Sequence, residues 1–341
     1  MRDAPIDFVI PWVDGSDPQW RAEHDLWRAK ERGDGLLRWT DGVQRYREWG
    51  LLKYWFRGVE KFAPWVNRIH FITWGHLPPW LNVNHPKLHI VNHRDYIPEK
   101  WLPTFSSRCI ELNIHRIDGL ADQFVYFNDD MYLTAPVKPT DFFRGGLPCD
   151  TAIISPIYLK QNGPRPEIND LYAINGAFRK RDVLLRHPLK WFSPRYGVSL
   201  FRTLTQLPYG LFTGFYITHA PVSYLKETWE AAWRTWPEFL ESACANRFRN
   251  ATDVNQWLLQ YLQFCTGRFS PRSPGFSAMY EGAHLVKRAV SDIRSGRHRI
   301  ICWNDSADFA GEFQSAGESI VEAFASRFRQ ACAFERKDML L

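Results

Sequence analysis

The sequence predicts an α/β fold in which a mixed, Rossmann-type sheet is flanked by helices. Four short apolar runs have the length and composition of buried strands, and they cover residues 6–13, 68–75, 87–91 and 123–127. Two helical patterns, over about 44–62 and 109–117, lie between these runs. Because strands that alternate with helices are typical of βαβ units, we expect the core strands to be parallel.

The helix predicted over 44–62 is amphipathic. Its apolar stripe recurs at helical spacing and consists of Trp49, Leu52, Trp55, Phe56 and Val59. Pro64 should end it, because proline cannot continue a helix.

The second half of the chain is less regular. Residues 134–215 are rich in proline and aromatic side chains, which predicts an insertion, a lid or an acceptor-side region within a single catalytic domain spanning 1–341. Residues 226–264 become helical again, and 318–324 predict a terminal helix. Thr252 or Asp253 is expected to cap the helix that runs to residue 262.

Composition narrows the classes of function. The net charge of +6 favours anionic ligands such as nucleotide diphosphates or an acidic membrane surface, and the absence of a Lys/Arg-rich block argues against a nucleic-acid partner. The 16 Trp, 13 Tyr and 24 Phe suit sugar faces and nucleobases, although most should lie in the core. No Cys-x-x-Cys pair occurs among the six cysteines, and no signal peptide or membrane span is evident, which predicts a cytoplasmic protein.

The segment 124–130 is the strongest candidate for a site. An apolar strand ends there in Asn128, Asp129 and Asp130. Ligands collect beyond the carboxyl ends of strands in α/β sheets, and adjacent carboxylates can hold a divalent metal. The alternative is a solvated Asn-Asp turn.

The loop after the first strand repeats this arrangement. It contains Trp12, Asp14, Gly15 and Asp17, whose backbone N–H groups can approach a phosphate while Trp12 supports a ring. The alternative is a tight turn in which Asp17 and Pro18 begin a helix.

The predicted helix at 109–117 follows two serines and carries polar residues on one side. Ser107, Glu111, His115 and Arg116 can hold phosphate near its N-terminus, or they can form a capped helix with a surface ion pair.

Three residues in the second half are further candidates. His219 follows a strand-like run, and Arg249 and Asp253 precede a helix. Imidazole and carboxylate groups can transfer protons, and guanidinium forks suit phosphate oxygens. A structural histidine and solvent-exposed arginines are the alternatives.

The chain resembles the Stealth family, which holds bacterial capsular-polysaccharide phosphotransferases and the eukaryotic lysosomal-enzyme N-acetylglucosamine-1-phosphotransferase. Four successive regions carry the resemblance: residues 6–20, residues 45–133, the surroundings of His219, and residues 247–262. The second region holds the most specific motifs, in the family's order: Leu52-Lys53-Tyr54-Trp55-Phe56-Arg57, Ala63-Pro64-Trp65-Val66, Pro79-Trp80-Leu81-Asn82, Leu102-Pro103-Thr104-Phe105-Ser106-Ser107, Ile110-Glu111, His115-Arg116-Ile117 and Asn128-Asp129-Asp130. Residues 134–210 and those beyond 270 match poorly and are expected to select substrates.

The resemblance implies a glycosyltransferase-A-like fold and an activity. Such an enzyme transfers a sugar-1-phosphate, here expected to be an N-acetylhexosamine-1-phosphate, from a UDP-sugar to a hydroxyl of a capsule or cell-surface glycan and releases UMP. Charge on the diphosphate must be neutralised and the hydroxyl needs a base.

The resemblance also implies roles for the candidate residues. Asp129 and Asp130 would hold Mg²⁺ or Mn²⁺, and Asp130 would also be catalytic. Arg249 and Arg116 would bind phosphate, and His219 or Asp253 would transfer the proton. Peripheral association with the inner face of the membrane is a further expectation.

Two rival functions remain open at this point. A metal-dependent glycosyltransferase of the same fold would attack the anomeric carbon and release UDP. A non-catalytic carbohydrate-binding module would explain the aromatic residues but not the ordered acidic, histidine and arginine segments.

Overall fold

The structure, a computed structural model, describes residues 4–31, 46, 49–158, 166–304 and 313–339. Its strands are β1 (Ile6–Pro11), β2 (Ile69–Thr73), β3 (Leu88–Asn92), β4 (Gln123–Tyr126), β5 (Met131–Leu133), β6 (Phe143–Arg144), β7 (Leu147–Asp150), β8 (Val222–Leu225), β9 (Ser270–Pro271), β10 (Ser277–Glu281) and β11 (Ile300–Asn304).

The helices of the described residues vary from one turn to four. They are α1 (Pro18–Lys30), α2 (Leu52–Phe62), α3 (His93–Tyr96), α4 (Ser107–Leu112), α5 (Pro139–Phe142), α6 (Pro166–Ala177), α7 (Lys180–Arg186), α8 (Pro188–Trp191), α9 (Leu200–Thr205), α10 (Lys226–Thr235), α11 (Pro237–Ala245), α12 (Gln256–Cys265), α13 (Val286–Ser295) and α14 (Phe313–Arg327). None of them is long and apolar enough to cross a membrane.

A five-stranded sheet forms the centre of the molecule. Its strand order is β3-β2-β1-β4-β8, in which the first four strands are parallel and β8 is antiparallel to β4. The predicted mixed α/β sheet with parallel core strands is therefore confirmed.

Alternate residues of the central strands pack on opposite faces of the sheet. Phe8 and Val125 belong to one core cluster, and Val9 and Phe124 belong to the other. Because successive side chains of a strand point to opposite faces, continuous apolar runs such as 8–10 and 124–127 are what a sheet covered on both sides requires.

Two smaller sheets extend the central one. In the order β10-β11-β5, β11 is parallel to β10 and antiparallel to β5. The other has the order β6-β7-β9. Since β5 follows β4 after a short turn, that turn lies where the central sheet meets the sheet of β10, β11 and β5, here called the β5 sheet.

Three predicted helix boundaries differ from the structure. Helix α2 begins only at Leu52, because Gly50 has a φ of +73° that interrupts a right-handed helix; residues 44, 45, 47 and 48 lie outside the described residues. Helix α4 ends at Leu112, where the Asn113 side chain donates to the Cys109 carbonyl at 2.8 Å and competes with the helical hydrogen bond. Helix α12 is capped by Asn255, which accepts from the Trp257 backbone, and not by Thr252 or Asp253.

The segment 134–215 contributes to the core. Its described part contains α5 to α9, and Ile153, Ile174, Leu184 and Trp191 are buried in the same cluster as Val9 of the central sheet. That this segment is an insertion that contacts the acceptor stays a prediction. All six cysteines are buried and free, so neither a disulfide nor a Cys-x-x-Cys metal site contributes to the fold.

Candidate active site

The site lies where the carboxyl end of β4 meets the start of β8. Because these strands are antiparallel, Tyr126 at the end of β4 pairs with Val222 at the start of β8. Asp130 follows the first strand and His219 precedes the second, so the topology brings the two side chains together. Their closest atoms, Asp130 Oδ2 and His219 Nε2, are 3.4 Å apart.

Cys302 completes this cluster. Its Sγ donates to Asp130 Oδ2 at 3.2 Å, and one ligand atom from each of Asp130, His219 and Cys302 lies within 4.8 Å of the others. Cys302 reaches Asp130 because Met131 and Cys302 pair in the β5 sheet, and the Trp303 backbone N–H donates to the Asp130 carbonyl at 2.9 Å. Burial, together with the charges of Asp130 and Asp129, holds the pKa of Cys302 well above its usual range. Cys302 is therefore a protonated donor to Asp130.

The second carboxylate oxygen of Asp130 has no hydrogen-bond partner. Asp130 Oδ1 is buried and unpaired, while Oδ2 faces His219 and Cys302. A buried carboxylate oxygen without a partner is costly, and a cation would satisfy it. Mg²⁺ is bound in many phosphate sites by one or two carboxylates plus substrate oxygens, so Asp130 fits such a cation.

Asn128 and Asp129 differ from Asp130 in exposure. Asn128 lines the cleft beside His219, and its role in binding substrate stays a prediction. Asp129 is exposed and does not belong to the Asp130 cluster, although it lies in the same turn. Of the predicted metal pair, Asp130 is half-buried with its Oδ1 atom fully covered, whereas Asp129 lies at the surface.

His219 has an unusual backbone. Its φ of +44° is the one positive value among the described residues other than glycine, a conformation that costs energy for most side chains. Burial lowers the pKa of His219, but the hydrogen bond and the charge of Asp130 outweigh it and raise that pKa. Since Nε2 faces Asp130, Nδ1 is the nitrogen available to accept a proton.

A cleft opens beside His219. It is lined by Tyr126, Asn128, Met131, Ile217, Thr218, His219, Ala220, Val222, Gln256, Trp257 and Gln260. Apolar and polar groups alternate around it, and the Trp257 indole offers a flat surface of the kind that packs on sugar rings.

A second polar group lies behind the cleft. The Tyr126 hydroxyl donates to Glu111 Oε1 at 3.0 Å, and Arg249 Nη2 donates to the Ser107 hydroxyl at 2.8 Å. Burial raises the pKa of Glu111 to about 7, although the charge of Arg249 and the bond from Tyr126 oppose this rise. Ser107, Glu111 and Arg249, predicted separately from the sequence, are thus neighbours.

Asp253 was predicted to act in proton transfer with His219, but its hydrogen bonds are made with other residues. Its carboxylate is fully buried and accepts from Arg108 Nη1 at 2.6 Å, from Asn246 Nδ2 at 2.7 Å and from the Asn250 backbone at 2.8 Å. The structure thus pairs Asp253 with Arg108 rather than with His219. All these bonds fix the turn that carries Arg249.

His115 and Arg116 lie against helix α10 and not at the cleft. The Arg116 guanidinium lies over the Trp233 ring at 5.1 Å, and its Nε donates to Asn113 at 3.0 Å. Burial, followed by the charges of Arg116 and Lys226, lowers the pKa of His115 to about 3. His115 is therefore neutral, and the structure does not bring either residue to Asp130 or Arg249.

The loop after β1 forms a compact turn. Asp14 Oδ1 accepts from the Ser16 backbone and hydroxyl at 2.8 and 2.6 Å, and Asp17 caps α1 by accepting from the Gln19 and Trp20 backbones. The capped helix weighed as an alternative is thus present. A side chain on Gly15 would overlap the Tyr46 carbonyl, so this position requires glycine.

Trp12 belongs to the core beneath this loop. Its ring stacks on Phe71 at 5.7 Å and meets His76 edge-on at 5.2 Å, and only 9% of the residue is exposed. This burial leaves little of the ring free to support a ligand. Trp12 therefore holds the loop in place.

Two residues of the site were missed by the sequence reasoning. Cys302 appeared only as a scattered cysteine, and Arg108 had no signal beyond its place next to Ser107. Both act through contacts between distant parts of the chain, which no local motif shows.

Among solved structures, the chain is similar to the galactosyltransferase LgtC in complex with donor and acceptor sugar analogues. The TM-score is 0.42 and the identity 10%, over 94% of this chain and 95% of that one. A bifunctional glycosyltransferase, WbbM, also gives a TM-score of 0.42 at 10% identity, over 95% of this chain and 50% of that one.

Sequence comparison is more informative. Residues 4–32 match conserved region 1 of the Stealth proteins, and residues 45–148 match conserved region 2. The capsular polysaccharide phosphotransferase WcwK of Streptococcus pneumoniae is 38% identical over 97% of this chain and 98% of its own length. The exopolysaccharide phosphotransferase cps2G of Lactiplantibacillus plantarum is 37% identical over 97% and 96%, and the receptor polysaccharide phosphotransferase WefC of Streptococcus oralis is 39% identical over 91% and 93%. With these relatives matching along nearly its whole length, the chain belongs to the Stealth family and is a transferase.

Proposed function

We propose that this protein transfers a hexose-1-phosphate, in particular an N-acetylhexosamine-1-phosphate, from a UDP-sugar to a hydroxyl of a capsular or cell-surface glycan. The products are a phosphodiester and UMP. The observation that carries this proposal is the identity of 38% with a named capsular polysaccharide phosphotransferase over 97% of the chain. The reaction needs a base and positive charge, and the candidate site contains both.

His219 is the proposed base. Asp130 fixes Nε2 and raises the pKa of the ring, so Nδ1 can accept the proton of the acceptor hydroxyl as that oxygen attacks phosphorus. The cleft beside His219 has polar and aromatic walls suited to a sugar acceptor. Proton removal by a positioned base contributes about 10²–10⁴-fold to such reactions.

Arg249 is the proposed phosphate ligand. Its guanidinium is already oriented by the Ser107 hydroxyl, and its charge acts on Glu111 in the uncomplexed protein. A donor phosphate would replace this buried carboxyl as the main anion near Arg249. A fork of N–H donors suits phosphate oxygens, and in a site sheltered from water such donors stabilise developing charge strongly.

Asp130 would hold a divalent cation, Mg²⁺ or Mn²⁺, through its unpaired Oδ1, with Asp129 as a second carboxylate from the same turn. When bound, the cation would neutralise charge on the donor diphosphate. The loop of Asp14, Gly15 and Asp17 is proposed to form part of the donor pocket, because it follows the first strand of the same sheet.

The fate of the anomeric oxygen tests the reaction type. The protein is incubated with a panel of UDP-sugars, Mg²⁺ or Mn²⁺ and a capsule-derived oligosaccharide, using donors that carry heavy oxygen at the anomeric position. Phosphotransfer predicts UMP, a phosphodiester phosphorus signal and retention of the label in the glycan product. Release of UDP carrying the label would instead establish the rival glycosyltransferase reaction.

The cellular setting follows from the substrates proposed. UDP-sugars are made in the cytoplasm, so we place the enzyme there, with a glycan acceptor and no nucleic-acid partner. The carbohydrate-binding alternative is separated by the same experiment, since a binding module would consume no donor.

A further inference from the structure

Exposed apolar side chains are concentrated in one segment of the chain. Of the 15 exposed large hydrophobic residues in the described part of the protein, eight lie between residues 179 and 211: Leu185, Leu189, Val198, Phe201, Leu204, Leu207, Tyr209 and Leu211. Leu189 and Val198 are 87% and 86% exposed. Single exposed hydrophobic residues are ordinary, but a concentration of this kind marks an interaction surface.

The same segment carries the excess positive charge of the protein. Residues 179–211 contain seven Lys and Arg but only one acidic residue, Asp182, a net charge of +6 that equals the net charge of the whole chain. Arg179, Arg181, Arg186 and Arg195 are exposed. The rest of the protein is therefore neutral overall, and this segment would dominate its attraction to an anionic partner.

The apolar residues are held in place by a rigid backbone. The buried Lys180 ammonium donates to the carbonyls of Gln206, Leu207 and Tyr209, which closes the segment on itself. Trp191 is buried beneath it, and the Thr203 hydroxyl accepts from the Ile154 backbone at 3.0 Å. The exposed side chains are thus presented by an ordered support and are not the ends of a loose loop.

We infer that residues 179–211 form a docking surface for an anionic lipid membrane. Apolar side chains that can enter the interface, with arginines beside them that can pair with lipid phosphates, are what interfacial attachment requires. An acidic protein partner would complement the positive charge of the segment. The apolar side chains nevertheless favour a lipid membrane, because several of them are almost fully exposed and each can enter a lipid interface independently.

Docking through this surface would bring the cleft close to the membrane. The chain leads from Leu211 in the surface directly to His219 in the cleft. Eight residues can span at most about 28 Å. His219 therefore lies at most about 28 Å from Leu211 in the docking surface, and the docking itself does not depend on the reaction proposed above.

The test is co-sedimentation of the purified protein with vesicles. We expect binding to vesicles that contain phosphatidylglycerol, weak binding to pure phosphatidylcholine vesicles, and loss of binding as salt increases. Replacing Arg181, Arg186 and Arg195 by glutamine should weaken binding to the anionic vesicles about a hundredfold, at about fivefold for each arginine. Leu189→Ser combined with Val198→Ser should weaken binding to the same vesicles.

Matched controls separate the surface from bulk charge and hydrophobicity. Arg94, Arg288 and Arg329 are exposed elsewhere, and their replacement by glutamine gives the same net charge. Leu26→Ser with Val83→Ser removes the same two side-chain types from other exposed positions. These variants should bind anionic vesicles like the wild type, and thermal unfolding should show all variants folded.

Three results would overturn the inference: absence of binding to anionic vesicles, equal binding to neutral ones, or equal losses in the test and control variants. A dimer in sedimentation velocity that dissociates only in the test variants, without vesicle binding, would assign the surface to a second copy of the chain.

Discussion

Tyr126 connects the two halves of the site, because it lines the cleft beside His219 while its hydroxyl donates to Glu111 at 3.0 Å. Glu111 in turn lies close to Arg249, whose charge opposes the rise of the Glu111 pKa that burial causes. The proposed base and the proposed phosphate ligand are therefore joined through one tyrosine and one buried carboxyl. A substitution of Tyr126 or Glu111 should therefore affect both the proposed base and the proposed phosphate ligand.

The buried Glu111 should make stability depend on pH. Its pKa is raised from 4.5 to about 7, so the folded protein holds a proton that the unfolded chain releases above pH 4.5. The free energy of unfolding should therefore fall by about 3 kcal/mol as pH rises from about 4.5 to about 7, relative to Glu111→Gln. Urea unfolding of both proteins across this range measures the difference. Exposed Glu230→Gln serves as control, and parallel profiles for wild type and Glu111→Gln would contradict the prediction.

Cation binding should depend on Asp130. Asp130→Asn is expected to abolish Mn²⁺ binding in calorimetry and to remove activity, whereas Asp129→Asn should weaken both less, because only Asp130 has a buried, unpaired oxygen. Cys302→Ser should retain cation binding, because serine keeps a hydrogen-bond donor to Asp130 Oδ2.

Exposed Asp118→Asn is the control for these carboxylate variants. Full activity in excess chelator would show that no cation is needed, and unchanged Mn²⁺ affinity in Asp130→Asn would place the cation elsewhere.

His219→Gln should lower turnover by about 10²–10⁴-fold while donor affinity stays nearly constant, because a base acts on the acceptor hydroxyl and not on donor binding. Steady-state kinetics and donor calorimetry provide the two measurements. His284→Gln, an exposed histidine elsewhere, should be inert. If His219→Gln keeps more than about a tenth of turnover, proton transfer belongs to another group.

The parallel strands and the polar residues at the end of β4 could be expected from the sequence for a simple reason. Apolar runs of strand length reveal buried strands, and polar residues that follow them must gather at one sheet edge. Asn128, Asp129 and Asp130 were found in this way. The convergence of His219 on the same place was expected only from the Stealth resemblance. The strand-like run expected before His219 is not a strand, and His219 instead precedes β8.

The remaining features depend on contacts that no local pattern encodes. Cys302 and Asp130 are 172 residues apart in the chain, and Arg108 and Asp253 are 145 apart. Asp253 was therefore interpreted as a partner of His219, although a buried arginine binds it. His115 and Arg116 contact Trp233, which lies on a helix distant in the chain, and no local pattern shows this contact.

Two substitutions of Asp14 should separate the effect of its charge on donor binding from the effect of its hydrogen bonds to Ser16. Asp14→Ala removes both the charge and the acceptor for Ser16, and it should weaken UDP-sugar binding measured by calorimetry. Asp14→Asn keeps an oxygen for the turn and should weaken binding less. Unchanged donor affinity in Asp14→Ala, with an intact fold, would remove this loop from the pocket.

Asp253→Ala should act through stability and through Arg249. The variant leaves the Arg108 guanidinium buried without its partner, and breaking such a pair costs about 3–5 kcal/mol in the free energy of unfolding. Because Asp253 also binds Asn246 and Asn250, the turn carrying Arg249 should loosen and donor affinity should fall. A base would behave differently, losing turnover with normal stability and donor affinity. Urea unfolding, donor calorimetry and kinetics on Asp253→Ala, Arg108→Ala and the double variant distinguish the two, since a shared ion pair predicts that the two single losses of stability are not additive.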